Sequence, residues 1–237
     1  MKKLFFVKAI LVSVLMAMVV APSVMGATVT VNRIPGYFNW VGGEYTLTPS
    51  ADWNWVLNYF DSKTKGIGGG QDFQSFCIET NEPVLQGPTY NVVFNDKAVL
   101  GGVGPSGDPL SVGAAWLYYD FLRGILANYD YLPPVGGARN LSGYALQQTI
   151  WWIEGELGEP APVNIFSAMV IAQFGSALGA KADNNGLYPV AVLNLYSQEG
   201  LLAQDFLVPI PEPATMLLLG SGLIGLAGFA RRKFRKN

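Results

Sequence analysis

The chain of 237 residues contains no histidine. Without that side chain, a Ser-His-Asp triad, a histidine general base and the usual histidine-containing zinc sites are excluded. No other complete catalytic set is visible in the sequence. We therefore predict a protein that is not an enzyme and that uses no cofactor and no bound metal.

Basic residues are scarce in the middle of the chain. Residues 27–208 hold seven of the fifteen lysines and arginines but sixteen of the seventeen acidic residues, which gives a formal charge of −9. A surface of that sign repels phosphate backbones, so a nucleic-acid partner is excluded. The other basic residues lie at the two ends of the chain.

The C-terminal end combines a proline-rich segment, an apolar run and a basic cluster. Pro211, Glu212 and Pro213 form a segment that prolines hold extended. The run 214–230 is at the short limit for a membrane-spanning helix, and the basic residues after it, which include Arg231 and Arg232, favour a cytoplasmic C-terminus. We expect the rest of the protein to face away from the cytoplasm.

This order of features resembles the PEP-CTERM sorting signal of Gram-negative, exopolysaccharide-producing bacteria. The resemblance covers residues 209–237 and implies processing by a membrane protease-transpeptidase called exosortase. It also implies transient anchoring in the membrane by the C-terminal helix, followed by localisation at the cell surface or in the extracellular matrix. The resemblance concerns the destination of the protein rather than its activity.

The N-terminus predicts export as well. Three lysines precede an apolar stretch at residues 9–21, and small residues before Ala27 provide a cleavage site for signal peptidase. The sequence thus divides into a signal peptide (1–26), one exported globular domain (27–208) and a sorting tail (209–237). The middle segment is long enough to bury a core of its own.

Hydrophobic periodicity in the exported domain changes from strand to helix and back. Alternation and aromatic runs predict strands at residues 28–34, 44–48, 53–60, 72–78, 90–94, 190–195 and 201–208. Apolar stripes predict helices at 114–125, from Ser142 as N-cap to Leu157, and at 164–174. The predicted fold class is α+β, an antiparallel β-sandwich or barrel-like body with an inserted helical subdomain.

Cys77 is the only cysteine, so no internal disulfide can form. A single cysteine in an exported protein is buried and inert, is joined to another molecule, or is kept for chemistry. Three segments favour the last alternative: 76–78, 146–151 and 203–207 resemble, in order and residue type, the motifs of bacterial thioester domains. Leu146 stands where threonine is more usual in that family.

The resemblance to thioester domains implies a bond between the Cys77 sulfur and the side-chain carbonyl of Gln204, formed with loss of ammonia. Gln147 and Trp151 are implied as buried supports of that bond. An amine on a partner would open the thioester and form a stable amide. The implied function is adhesion by covalent capture of an amine-bearing protein or a surface partner.

A second function stays open on the sequence alone, namely a structural or carbohydrate-binding component of an exopolysaccharide or biofilm matrix. Tryptophans at the surface would then stack on sugars, although large aromatics more often lie in a core. Glu79 and Glu82 either adjust the environment of Cys77 or end its strand. Glu154, Glu156 and Glu159 are expected to form a solvated patch.

Overall fold

The computed structural model describes residues 26–39, 42–99, 107–133 and 138–211. The predicted signal peptide and the predicted sorting helix lie outside these ranges. Within the described ranges, every helix is too short or too polar to span a bilayer.

Ten short strands form one large sheet and two small ribbons in the described part of the chain. The strands are β1 (Thr28–Asn32), β2 (Phe38–Asn39), β3 (Gly42–Gly43), β4 (Tyr45–Pro49), β5 (Phe73–Ser75), β6 (Thr89–Asn95), β7 (Lys97–Ala98), β8 (Asp108–Pro109), β9 (Val190–Tyr196) and β10 (Leu202–Pro209). The large sheet has the order β10-β9-β6-β1-β4-β5, and every pairing in it is antiparallel. The predicted mixture of helices with an antiparallel sheet is confirmed.

The strands form where the sequence alternates. In β1, Val29 and Val31 are fully buried, and the polar residues between them are partly exposed. β9 is different because six of its seven residues are buried, including the polar Asn194. A strand covered on both faces loses the alternation of a strand that has one face towards solvent, and its sequence is a nearly continuous apolar run.

The two edge strands of the large sheet meet. The chain continues beyond β5, and the amide of Ile78 donates to the carbonyl oxygen of Asp205 at 3.0 Å, while the amide of Leu207 donates to that of Phe76 at 3.1 Å. Cys77 pairs with Phe206 between these two bonds. Residues 76–78 and 205–207 therefore close the sheet into a barrel-like form, and we call this pairing the closing seam.

One helix lies between β4 and β5, and the others follow β8. They are a 3₁₀ helix (Ala51–Tyr59) and four α-helices, α1 (Val112–Leu122), α2 (Arg139–Ile153), α3 (Ile165–Phe174) and α4 (Ala177–Ala180). All four α-helices lie between β8 and β9 in the chain, as the predicted helical insertion requires. Asn164 caps α3 by accepting from the amides of Phe166 and Ser167.

The strand predicted at 53–60 is wrong, because this segment is the 3₁₀ helix. The aromatic residues indicated a strand, but the buried positions Trp53 and Val56 are three residues apart, which is the spacing of one 3₁₀ turn. The indole N–H of Trp53 donates to the carbonyl oxygen of Thr28 at 2.8 Å and ties the helix to β1. Burial of one large side chain decided the local structure here.

The predicted start of the second long helix is also wrong. α2 begins at Arg139, and Ser142 lies within its first turn. The carboxylate of Asp130 accepts from the amide of Ala138 at 2.8 Å, so a residue from the preceding loop caps the helix. The hydroxyl of Ser142 accepts from the amide of Asp130 instead. Ile125, predicted to lie on the stripe of α1, follows that helix and is 55% exposed.

Candidate functional site

Cys77 lies at the closing seam with 1% of its surface exposed. Burial raises the pKa of its thiol to about 12, and the indole of Trp151 is the first of several groups that oppose the shift. The thiol is therefore protonated at neutral pH and shielded from solvent. Such a sulfur can react only with a group that the fold itself places beside it.

Gln147 is the side chain that holds Cys77 in place. Its Oε1 accepts from the amide of Cys77 at 3.2 Å, and its Nε2 donates to the carbonyl oxygen of Cys77 at 2.7 Å. The thiol of Cys77 donates to the same Oε1 at 3.4 Å. The side-chain amide of Gln147 thus forms hydrogen bonds with both the N–H and the C=O of Cys77, as the backbone of a neighbouring strand would. The supporting role of Gln147 stays a prediction, and these contacts are the ones that such a role needs.

Trp151 lies one helical turn after Gln147 on α2. Its indole N–H is buried and makes no hydrogen bond of normal geometry. Gly42 allows the backbone of β3 to approach both side chains, because a Cβ there would lie 2.7 Å from Cγ of Gln147 and 2.8 Å from Cη2 of Trp151. A glycine is therefore required where β3 packs on α2.

Gln204 occupies the opposite strand of the seam, two residues before Phe206. It is 4% exposed, and its Nε2 donates to the carbonyl oxygen of Glu79 at 2.8 Å. Because Cys77 pairs with Phe206, Gln204 is its diagonal neighbour across the seam. In a regular antiparallel pair such residues lie about 7–8 Å apart, within reach of long side chains. An irregularity in the pairing of β10 with β9 falls between Ala203 and Phe206, and such bulges redirect side chains.

The structure therefore brings Cys77, Gln147 and Trp151 into one cluster. Gln204 lies on the paired strand, but its amide is bonded to the carbonyl oxygen of Glu79, and the carboxamide at the Cys77 sulfur is that of Gln147. Sequence reasoning missed Tyr45, a further group that acts on the Cys77 thiol. Tyr45 packs edge-on against Phe206 with ring centroids 5.0 Å apart. Only the pairing of β4 with β5 brings Tyr45 there, and no local pattern could have indicated it.

A buried ion pair fixes the start of α2, the helix that carries Gln147 and Trp151. Arg139 donates from Nε to Oε1 of Glu44 at 2.6 Å and from Nη2 to Oε2 at 2.8 Å. Burial lowers the pKa of Arg139, but the hydrogen bond and charge of Glu44 raise it more, so the net shift is upward. The hydroxyl of Tyr129 also donates to Oε1 of Glu44, at 2.7 Å. Glu44 immediately precedes β4, so the pair connects the helix to the sheet.

The glutamates at the end of α2 do not form the single solvated patch that the sequence predicts. Glu154 is buried and accepts from the amide of Ser111 at 3.2 Å, and burial raises its pKa to about 8. Glu156 accepts from the amide and hydroxyl of Thr80, and Glu159 pairs with Lys181. Each carboxylate has a separate structural partner.

The tryptophans that could stack on sugars are not exposed in the described part of the chain. Trp53, Trp151 and Trp152 are buried, and Trp55 and Trp116 are only partly accessible. Trp40 lies outside the described residues. The described tryptophans thus give no support to a flat aromatic platform for carbohydrate.

Comparison with known proteins identifies the C-terminal end. Residues 209–236 match the family model for the PEP-CTERM protein-sorting motif. The chain carries a PEP-CTERM sorting signal. This signal implies export, transient anchoring in the membrane and processing by exosortase, followed by localisation at the cell surface or outside the cell. Searches of curated proteins and of solved structures gave no significant match to the chain.

Proposed function

We propose that this PEP-CTERM protein is a surface attachment protein of a Gram-negative bacterium, in which Cys77 and Gln204 form an internal thioester that captures a partner covalently. One observation carries the proposal. Cys77 lies at the closing seam, with Gln147 bonded to both of its peptide groups and Gln204 on the strand paired with it. These contacts support the proposal, because they hold the backbone of Cys77 by a buried side chain as well as by strand pairing.

The bond forms without an added reagent. The sulfur of Cys77 attacks the side-chain carbonyl carbon of Gln204, an S–C bond forms and the C–N bond of the amide breaks. The thiol proton leaves with the amide nitrogen as ammonia. Holding both groups at contact in a site without water favours this step over hydrolysis. The indole N–H of Trp151 is buried without a hydrogen-bond partner of normal geometry and acts on the Cys77 thiol, so it would be the donor for an oxygen that develops charge beside that sulfur.

Capture of a partner uses the thioester once. An amine, such as a lysine side chain of a protein in the exopolysaccharide or biofilm matrix, attacks the carbonyl carbon. The C–S bond breaks, an amide forms, and the Cys77 sulfur leaves as a thiol. Because the bond is not regenerated, the protein works as an adhesin and not as an enzyme.

Incubation of the full chain, purified in detergent, with methylamine tests this function. We expect one methylamine per chain, attached at residue 204 and accompanied by release of the Cys77 thiol. Ordinary glutamines do not exchange with amines under these conditions, because an amide is a poor electrophile. Peptide mapping by mass spectrometry gives the position of the label.

The controls separate the thioester from a chance modification. Cys77→Ala and Gln204→Ala should take up no methylamine. Gln198→Ala, which replaces an exposed glutamine in the turn between β9 and β10, should react like the parent. No uptake by the parent chain would refute the proposal. Polysaccharide binding that survives in Cys77→Ala would then favour a passive component of the matrix.

A further inference from the structure

Three carboxylates converge at the exit of the closing seam. Glu79 and Glu82 follow Cys77 in the chain, and Asp205 follows Gln204 on β10. One oxygen from each of the three lies within 4.8 Å of the others. We call these three residues the acidic cluster. They come from two segments that only the closure of the sheet brings together.

The acidic cluster is buried and poorly compensated. Glu79 and Asp205 are 1% and 0% exposed. Both carboxylate oxygens of Glu79, both of Glu82 and Oδ1 of Asp205 are buried without a hydrogen-bond partner. The two salt bridges of the described chain involve other residues. Carboxylates in such surroundings are costly unless something neutralises them.

The charges that act on Glu79 are all negative. Burial raises the pKa of Glu79 to about 10, and the adjacent carboxyl group of Glu82 and the charges of Asp205 and Glu156 add to the shift. The pKa of Tyr196 is raised by burial and then by the charges of Asp205 and Glu82, so Tyr196 lies close to the same negative charges. Without a cation, Glu79 must keep a proton that a free glutamate releases near pH 4.5.

Asn194 provides an independent observation. It is fully buried on β9, and its Nδ2 donates to Oδ2 of Asp205 at 2.8 Å. Its carbonyl oxygen, Oδ1, is buried and has no hydrogen-bond partner. An uncharged oxygen acceptor thus stands without a partner on a side chain that is bonded directly to Asp205. Native proteins leave few such groups unpaired, and an ion is one of the usual reasons.

We propose that the acidic cluster of Glu79, Glu82 and Asp205 binds a calcium ion, with the carbonyl oxygen of Asn194 as a further ligand. All the available donors are oxygens, which calcium prefers at about 2.3–2.6 Å in irregular geometry, whereas magnesium demands a regular octahedron. The ion would join the segment after Cys77 to β10 beside the hydrogen bond from Gln204 to Glu79. The proposal does not depend on the thioester, because neither Cys77 nor Gln204 is a ligand.

Titration of the full chain in detergent, stripped with EDTA, tests the calcium site. We expect one calcium ion per chain by calorimetry and, at about 100 times the dissociation constant, a rise in Tm of roughly 5–10 °C. Magnesium alone should give a smaller shift. Glu79→Gln and Asp205→Asn should remove calcium binding, whereas Glu199→Gln, at an exposed carboxylate on the β9–β10 turn, should keep it.

The variants also distinguish the loss of the calcium site from the unfolding of the protein. Glu79→Gln should be at least as stable as the parent in EDTA, because it removes an unpaired buried carboxylate. Cys77→Ala should bind calcium as the parent does, so a failed thioester and a failed calcium site give different results. The absence of any calcium-dependent shift in the parent would overturn the proposal.

The pH dependence gives a second readout. In EDTA, the native state holds more protons than the unfolded state between pH 4.5 and the raised pKa of Glu79, so stability should fall as pH rises through that window. Calcium competes with those protons, so its stabilising effect should be larger at about pH 8 than at about pH 5. The same decline with and without calcium would show that the acidic cluster only shares protons, and would overturn the proposal.

Discussion

Replacing Arg139 with methionine is expected to lower the free energy of unfolding by about 3–5 kcal/mol, because it leaves Glu44 charged and buried without its partner. Arg139 is 1% exposed, and it also donates to the carbonyl oxygens of Tyr131 and Lys63 at 2.8 and 2.7 Å. Those oxygens lose their donors in the variant. Urea unfolding followed by tryptophan fluorescence measures the change.

Two controls identify the cause of this loss. Arg123→Met removes an exposed arginine that stacks on Tyr119, and should change stability by no more than about 0.5 kcal/mol. A double variant with Glu44→Leu and Arg139→Met should recover much of the loss, since it removes both charges together. If the double variant is less stable than Arg139→Met alone, the unpaired charge is not the reason.

Opening the thioester with methylamine is expected to lower the thermal stability of the protein strongly. The bond would join residues about 130 positions apart, and closing a loop of that size stabilises a fold by about 4–5 kcal/mol in the chain-entropy description of disulfides. For a domain of this length, the corresponding loss is roughly 10–20 °C in Tm. The comparison uses one protein before and after treatment, so no substitution complicates it.

The Cys77→Ala variant is the matched control for this experiment. It cannot form the bond, so its Tm should already be low, and methylamine should not lower it further. If treated and untreated parent proteins unfold at the same temperature although methylamine is incorporated, the cross-link does not brace the closing seam. Equal stability of the untreated parent and Cys77→Ala would contradict the prediction as well.

Much of the fold follows from local patterns. Alternation predicts β1 because its threonines and valines face opposite sides, and Asn164 marks the start of α3 by its capping side chain. The aromatic content of residues 53–60 predicts a strand, whereas the three-residue spacing of the buried Trp53 and Val56 is that of the 3₁₀ helix. The start of α2 depends on Asp130 and on the buried Arg139, and neither influence is visible within the helix.

The candidate site, like the fold, could be predicted from the sequence only where its residues lie in local motifs. The motifs predict that Cys77, Gln147 and Trp151 act together, and the structure places them in one cluster. Tyr45 could not have been assigned to this region, since only the pairing of β4 with β5 brings it to the seam. Asp205 also shows why the sequence predicts no metal site. Its acidic neighbours, Glu79 and Glu82, are more than a hundred residues away in the chain.

The bond between Cys77 and Gln204 is the central claim, and the intact mass of the purified protein tests it most directly. The parent chain should be lighter than its calculated mass by one ammonia, whereas Cys77→Ala and Gln204→Ala, purified in parallel, should show their full calculated masses. Gln147→Ala tests the other glutamine, whose Oε1 lies 3.4 Å from the sulfur. A deficit that Gln147→Ala keeps and Gln204→Ala loses identifies Gln204 as the bond partner. A parent chain of full mass with a titratable thiol at Cys77 would contradict the account.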